Sequence, residues 1–556
     1  MLWLLIVEAE MAKMDSEQLI SSEDQSHTYR IKRLNQIGIA LSSEHNKDAL
    51  MEIILTSARE LTQADAGTLY LTDPSFEKLH FPLVQNDQLK IYLGGTSGST
   101  TEMFEPISLF HDDGTPNEQL VVTCAIHNKK TICIADVYLA TEYDFSGTRS
   151  FDAHSGYRSR SFLTVPLINH ENEVFGALQL INKCIDSDEP QAFNDLDIEL
   201  AESLASQAAV ALENQRLIND MKQLFDGFTH VLATAIDKKS PHTGNHCRRV
   251  PDATLFLAEA VSSSNHPLVN DFVMSEADFY ELKTAAWLHD CGKVVTPHHI
   301  MEKSRKLETV VDRIELIATR VEVLLRDTEI KALQLELAGK STSSKQLDDL
   351  KNQLQTDLLF LRKLNVGSEY VSDNDLKKLS CLADMTYINI DNEVVPLITA
   401  DEHYNLSIRK GTLNAEERQI MNDHMVATLD MLEQLPFPKH LRRVPEYAGC
   451  HHERMDGKGY PRGLKREEMS IPARIMGIAD VFEALTAKER PYKEPMKLSQ
   501  ALTIMSRMAK EGHLDPDLFE IFVQEKVYDR YASIHLSPEQ IDEPNIAALL
   551  NSEEAQ

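Results

Sequence analysis

The sequence predicts a multidomain protein. An α+β domain, an antiparallel sheet with helices, is joined by a long helix to a second large domain that carries a helical-hairpin insertion. Three observations carry this reading. The chain has 556 residues, about three or four domains' worth. Strand-like apolar runs stop at Asn182 and helical patterning follows. From Asp195 to Asp226 no Gly or Pro interrupts the pattern.

The elements follow in order. Met1–Val7 is apolar, but Glu8 and Glu10 come at once, so the stretch is shorter than a signal peptide or a membrane helix requires. Residues 1–27 read as a flexible tail, with Met11 or Met14 as alternative starts. Residues 28–60 read as two amphipathic helices. Gly67–Thr72, Leu89–Leu93, Gln119–Thr123 and Thr131–Ala135 are strand candidates. Ser161–Ile168 and Val174–Asn182 are stronger ones, joined by the polar turn His170–Glu173. Helix, sheet and closing helix make residues 28–194 a sensory α+β layout.

Residues 195–228 read as a connecting helix. Leu204, Ala211, Ile218 and Phe225 recur every seven residues, with Leu200, Gln207, Asn214 and Met221 as companions. This predicts a parallel homodimer seam with polar interruptions; packing on the helix's own domain is the alternative. Residues 229–540 form the second domain, in which residues 305–409 look inserted. Leu307, Val310, Ile314, Ile317, Val321 and Leu324 keep helical spacing. Gly339–Ser344 breaks the pattern, and Leu347, Leu350, Leu354, Leu358 and Leu361 resume it. Residues 366–409 show little pattern. The insertion reads as structural, regulatory or partner-docking, and residues 541–556 as a tail.

Lys and Arg total 56 against 87 Asp and Glu, a net charge of −31. That balance argues against DNA or RNA polymers as partners, since these need clustered cations. A small anion in a locally neutralised site stays open. The seven cysteines are widely spaced with no CxxC, which suits a reducing cytoplasm.

The chemistry lies in two segments, His289-Asp290-Cys291-Gly292-Lys293 and His451-His452-Glu453, the latter running on to Gly457-Lys458-Gly459-Tyr460-Pro461. Adjacent histidines beside acids, with a separate His-Asp pair, make a ligand set for clustered divalent metals of the Fe, Mn or Zn kind. A carboxylate can bridge two such ions. The glycine-rich run implies a tight loop close to a ligand.

These segments resemble the HD-GYP family of metal-dependent phosphodiesterases, which cleave cyclic dinucleotides. The resemblance extends to Ser240–Val250, Ala285–Lys293, Gly411–His424, Ile478–Thr486, Arg490–Lys493 and Gly512–Pro516, in the family's order. It implies an all-α HD-GYP domain and two divalent metal ions, Fe or Mn first and Zn, Ni or Co as alternatives. His246, His289 and Asp480 would hold one ion, His424, His451 and His452 the other, with Asp290 between them. The ions would polarise a phosphodiester and acidify water. Asp290 and Lys293 are the expected catalytic residues. Lys293, Gly459, Tyr460, Pro461, Arg490 and Lys493 are the expected substrate contacts. His242 stands where some members place a glutamate for a third ion, and Glu483 where many have Asp; both are further candidate ligands. Cyclic di-GMP is the expected substrate, giving the linear dinucleotide pGpG, with GMP as the alternative end product. Cyclic GMP-AMP, a catalytically weak cyclic di-GMP-binding module, and a nucleotide phosphohydrolase of the wider HD superfamily are the rivals.

Ile134–Tyr138, Gly156–Pro166 and Asn182-Lys183 resemble a GAF domain. Asn182, Lys183, Phe193 and Asp197 partly reproduce the pattern of cyclic-nucleotide-binding members, although Ile198 stands where a Glu is expected. The resemblance therefore implies either a small-molecule ligand held near these four residues or a GAF fold used only for dimerisation.

Overall fold

The computed structural model describes residues 32–44, 46–184, 190–239, 245–267, 269–270, 272–339, 344–367, 369–488 and 495–550. The chain divides into two compact units at Leu224/Phe225.

In the first unit, strands β1 (Ala64–Thr72), β2 (Lys78–Asn86), β3 (Ile91–Gly94), β4 (Ile107–Ser108), β5 (Ile132–Ile134), β6 (Phe162–Ile168) and β7 (Val174–Lys183) form one antiparallel sheet. Its order is β3-β2-β1-β7-β6-β5, with β4 beside β2. The helix Lys47–Thr62 is started by Asn46, whose side chain accepts from Asp48 N and Ala49 N. Its buried face, Leu50, Ile54, Leu55 and Ala58, packs in one core with Leu69, Leu178, Leu204 and Ala208. The α+β expectation stands, with two local corrections. β2 went unread because Phe81-Pro82 breaks the alternation that Lys78, Leu79 and His80 begin. Gln119–Thr123, expected as a strand, instead leads into the helix Val121–Asn128. Its valines suggested a strand, but Val121, Val122, Ala125 and Ile126 bury one helical face.

The helix Asp195–Lys239 has 45 residues. Leu204 is fully buried in the first unit's core, and Phe225 packs its ring against Phe437. These two members of the expected seam are therefore occupied. Leu217, Met221, Leu224, Phe228 and Val231, spaced four and three apart, are instead exposed, at 56–72%.

The second unit is mostly helical. Its main core gathers His246–Ser263, Glu276–Leu288, Val444–Gly449, Ile471–Thr486 and the later helices. The insertion is the expected helix pair, Ile314–Leu337 and Ser344–Val366, with a core of its own. Residues 366–409, which lacked pattern, contain the helices Asp373–Ala383 and Ala400–Leu406, each opened by a capping box, at Ser372/Asp375 and Thr399/Glu402. A short hairpin, Thr386–Ile388 with Val394–Pro396, lies between them. Such short elements give too few residues for a period to show. Residues 541–550, read as tail, pack instead. Leu549 is buried in the core and its carbonyl accepts from Ser506 Oγ at 2.7 Å. The expected tail 1–27 and residues 551–556 lie outside the described residues.

Candidate metal centre

The centre is assembled by helix ends. The helix Glu276–Leu288 starts with a capping box, Ser275 with Asp278, and buries Leu282, Ala285 and Ala286 before it releases His289 and Asp290. Both are buried, at 0% and 2% exposed. Gly292 follows, and a Cβ built on it would lie 2.0 Å from the carbonyl oxygen of His424. Only glycine lets the helix His424–Glu433 close on this turn, where Gly292 N also donates to Thr428 Oγ1 at 2.9 Å. His451 and His452 follow the helix Val444–Gly449, Asp480 projects from Ile471–Thr486, and His246 opens His246–Ser263.

These seven side chains converge. His246 Nε2 lies 3.3 Å from His289 Nε2, 3.3 Å from Asp290 Oδ2 and 3.2 Å from Asp480 Oδ1. His289 Nε2 is 3.3 Å from Asp290 Oδ2. On the other side, Asp290 Oδ1 faces His424 Nε2 at 3.5 Å and His451 Nε2 at 4.0 Å. The ring centroids of His451 and His452 are 4.2 Å apart, and those of His424 and His452 5.4 Å. His246, His289 and Asp480 form one set whose donor atoms lie within 4.8 Å of one another; His424, His451 and His452 form a second.

The hydrogen bonds decide which atoms are free. His289 Nδ1 donates to Ala286 O at 2.8 Å, His451 Nδ1 to Ala448 O at 2.7 Å, and His424 Nδ1 to Met421 O. Each backbone contact fixes the tautomer that leaves Nε2 as a lone pair. Among the described residues, His424 Nε2, His451 Nε2 and Asp290 Oδ1 are then buried without a partner. Three orphaned acceptors aimed at one another would be costly unless a cation lay between them. The donor set of imidazole and carboxylate fits divalent Fe, Mn or Zn.

Electrostatics agree with the hydrogen bonds at Asp290, His451 and His452; at His246 burial would lower the imidazole, but Glu483, Asp290 and Asp480 hold it well above its usual range. Burial would raise the Asp290 carboxyl, but Lys293 and the histidines hold it well below its usual range. Burial pushes His451 well below its usual range and His452 down to about 4, so both are neutral and able to ligate. Lys293 Nζ sits 2.6 Å from Asp290 Oδ2. Burial would lower its ammonium's pKa, but Asp290 raises it instead. Glu483 pairs with His246 Nδ1 and, at 2.7 Å, with Arg249 Nε. Among the described residues it stands behind His246 rather than among the free donors.

The loop after the histidines is held from beneath. Glu453, 4% exposed, accepts from Arg462 N, Gly463 N and Leu464 N at 2.7, 3.1 and 2.9 Å. A Cβ on Gly459 would lie 2.4 Å from Arg454 N, so this residue must be glycine for the loop to fold back. Tyr460 then lays its ring on His452, with centroids 4.9 Å apart and planes at 29°. Pro461 is next in this half-buried loop. Sequence reading assigned no role to Glu453 or Arg249; a carboxylate directly before a glycine-rich loop was the available signal. His242, Arg490 and Lys493 lie outside the described residues.

The four GAF residues lie elsewhere and serve the fold. Asn182 accepts from Arg160 N at 2.7 Å and donates to Arg158 O at 2.8 Å. Lys183 and Asp197 form a buried ion pair, and Phe193 is in the core.

Residues 46–212 match the GAF domain family and residues 397–518 the HD domain family. Over 130 residues, 23% of this chain, the sequence is 39% identical to a 3'3'-cGAMP-specific phosphodiesterase 1 of Vibrio cholerae, covering 29% of that protein. It is 34% identical over 152 residues to the 3'3'-cGAMP-specific phosphodiesterase 3 of the same organism, covering 27% of this chain and 29% of that one. It is 36% identical over 117 residues to a cyclic di-GMP phosphodiesterase of Thermotoga maritima, covering 21% of this chain and 31% of that one. The matched segments thus span under a third of each of these relatives.

Proposed function

We propose that this chain, which carries a GAF domain and an HD domain, is a metal-dependent phosphodiesterase of the HD-GYP type that hydrolyses cyclic di-GMP to pGpG, with GMP as the alternative end product. The observation that carries the reading is the trio of buried acceptors that have no partner among the described residues, Asp290 Oδ1, His424 Nε2 and His451 Nε2. The names of the matched relatives support the substrate class.

His246, His289 and Asp480 would hold one divalent ion and His424, His451 and His452 the other, with Fe and Mn preferred. When bound, such a pair supplies Lewis acidity for the phosphodiester and acidifies water. The chain's own groups do the rest. Asp290 offers Oδ2 to one histidine set and Oδ1 to the other, as a bridging carboxylate must. Lys293 keeps a positive charge beside it for a phosphate oxygen. The Tyr460 ring, stacked on His452, presents a flat face on which a guanine can lie. Arg490 and Lys493 would take the second phosphate or a guanine edge.

Cyclic GMP-AMP is the second reading, favoured by the specificity of two of the relatives. The test is hydrolysis of both dinucleotides by protein purified without oxygen, with metal counted on the same sample and Asp290→Ala beside it. Turnover with two metals per chain, lost in the variant, is expected. Full metal occupancy with no turnover of either compound would overturn the proposal.

The proposed assembly is a parallel homodimer through Leu217, Met221, Leu224, Phe228 and Val231, whose four-three spacing is that of a coiled-coil seam. Leu217→Asp with Leu224→Asp should give a monomer in analytical ultracentrifugation; an unchanged mass would remove the seam. A cytoplasmic setting is proposed on the seven free cysteines. Among the described residues no helix is long and apolar enough to cross a membrane.

A further inference from the structure

The last residue of the long helix reaches the turn that follows His289 and Asp290. Sequence patterning ends this helix at residue 228; the structure carries it on to Lys239, and the added turns belong to the second unit. Ala233 and Ile236 are buried in the main core. Asp237 Oδ1 accepts from Cys247 N at 3.3 Å, in the first turn of the helix that His246 opens. The helix end is therefore a fixed post. From it the Lys239 ammonium donates to three backbone carbonyls, Lys293 O at 3.2 Å, Thr296 O at 2.7 Å and Val294 O.

The two halves of the turn are held differently. Its first half, Cys291 and Gly292, is buried, and Gly292 N is tied to Thr428. Its second half comes to the surface. Val294 and Val295 are 44% and 63% exposed, so apolar burial does little to order this stretch. The 3₁₀ helix Cys291–Val294 also ends here, where carbonyls run out of helical partners and a lysine can take them. An ammonium has three N–H donors and no acceptor, so three converging carbonyls saturate it. One of the three belongs to Lys293, whose Nζ sits 2.6 Å from Asp290 Oδ2. A long side chain is aimed only as well as its own backbone is fixed. Lys239 fixes that backbone from the outer side, as Thr428 does from the inner.

We infer that Lys239 is a positioning residue for phosphodiester cleavage: its ammonium holds the turn Lys293–Thr296 and, through it, the place of the Lys293 ammonium at a phosphate oxygen. The inference rests on the proposed reaction and on Lys293 as a phosphate contact. Among the described residues the hydrogen bonds of Lys239 Nζ all go to this turn, so its effect on the reaction passes through Lys293.

The experiment compares the full chain with Lys239→Met, Lys239→Arg, Lys293→Met and the double variant Lys239→Met/Lys293→Met. Water can take the three carbonyls of a surface turn, so Lys239→Met should keep the parent's thermal transition and its Mn²⁺ count per chain. The amides of Lys293, Val295 and Thr296 donate within the turn, and in Lys239→Met they should exchange about tenfold faster. Lys239→Arg, with five N–H donors, should restore most of that protection. For cyclic di-GMP, Lys239→Met should lower kcat about tenfold, the cost of a loosely aimed group. With Lys293 already Met the same change should cost under about twofold, because the clamp then has nothing to aim. A merely structural defect would cost the same in both backgrounds. The inference is overturned by unchanged exchange in Lys239→Met, by an unchanged kcat, by an equal loss in the Lys293→Met background, or by a lowered thermal transition that Lys239→Arg does not restore. A parent that hydrolyses neither cyclic di-GMP nor cyclic GMP-AMP defeats the proposed reaction instead, and amide exchange alone then decides whether Lys239 holds the turn.

Discussion

Glu483→Gln is the sharpest probe of the metal centre. The side chain is 1% exposed, and it pairs with His246 Nδ1 and with Arg249 Nε at 2.7 Å. Glutamine keeps the shape but turns one of the two contacts towards an N–H₂ group, so one charge-assisted hydrogen bond is lost. That costs roughly 1.5–3 kcal/mol of stability. Behind a ligand histidine, losing such a partner costs about 10- to 100-fold in metal affinity, or about 1.4–2.8 kcal/mol. The assay is calorimetric titration of the metal-stripped protein with Mn²⁺, with urea unfolding of the same stocks. Burial opposes ionisation of Glu483, but His246 and Arg249 hold its carboxyl below the usual range. Its contribution to stability is therefore present above the ordinary carboxylate pKa of about 4.3 and fades as pH falls through the lower folded value. Parent and variant should differ in stability at pH 7 and converge in acid. Mn²⁺ affinity within twofold of the parent would refute the argument that Glu483 supports His246 from behind.

The remaining predictions test other parts of the same reasoning. Glu453→Ala strands three backbone N–H groups and should cost about 3–5 kcal/mol in denaturant unfolding; a loss under about 1 kcal/mol would show that the loop holds itself. Gly292→Ala drives a methyl into the His424 carbonyl, so it should cost roughly 1–3 kcal/mol or more and lower the number of Mn²⁺ bound per chain, while full occupancy would mean that the turn relaxes. Lys183→Met alone should destabilise the first unit by about 3–5 kcal/mol, because it leaves Asp197 buried and unpaired. Adding Asp197→Leu should recover most of that loss in a thermal melt, whereas no recovery would point to a role for Asp197 beyond the pair. Saturating Mn²⁺ at about 100 times its dissociation constant should stabilise the second unit by about 2.7 kcal/mol, an effect that chelator reverses and that Asp290→Ala lacks.

The residue types alone marked His289-Asp290 and His451-His452 as ligand candidates, and the HD-GYP resemblance named the rest. His246, His289, Asp290, His424, His451, His452 and Asp480 all fall within one cluster. Glu483 was legible only as an ambiguity between ligand and support, because a carboxylate on a helix one turn beyond Asp480 can point either way. The side chain's direction towards Arg249 is a fact of packing.

By itself the sequence determined the parts that depend on local order: a sheet-containing first domain, a long uninterrupted helix, a helical insertion and a histidine–carboxylate ligand set. Periodicity and residue chemistry act over a few neighbours and can be read in one dimension. Tertiary structure decided what depends on neighbours distant in sequence. It placed the exposed stripe of the long helix one residue away from the expected seam on one side, because Leu204 and Phe225 found partners at home. It turned Lys183 and Asp197 into a buried pair. Burial and pairing are set by which surfaces meet, and no window of sequence contains both sides of that contact.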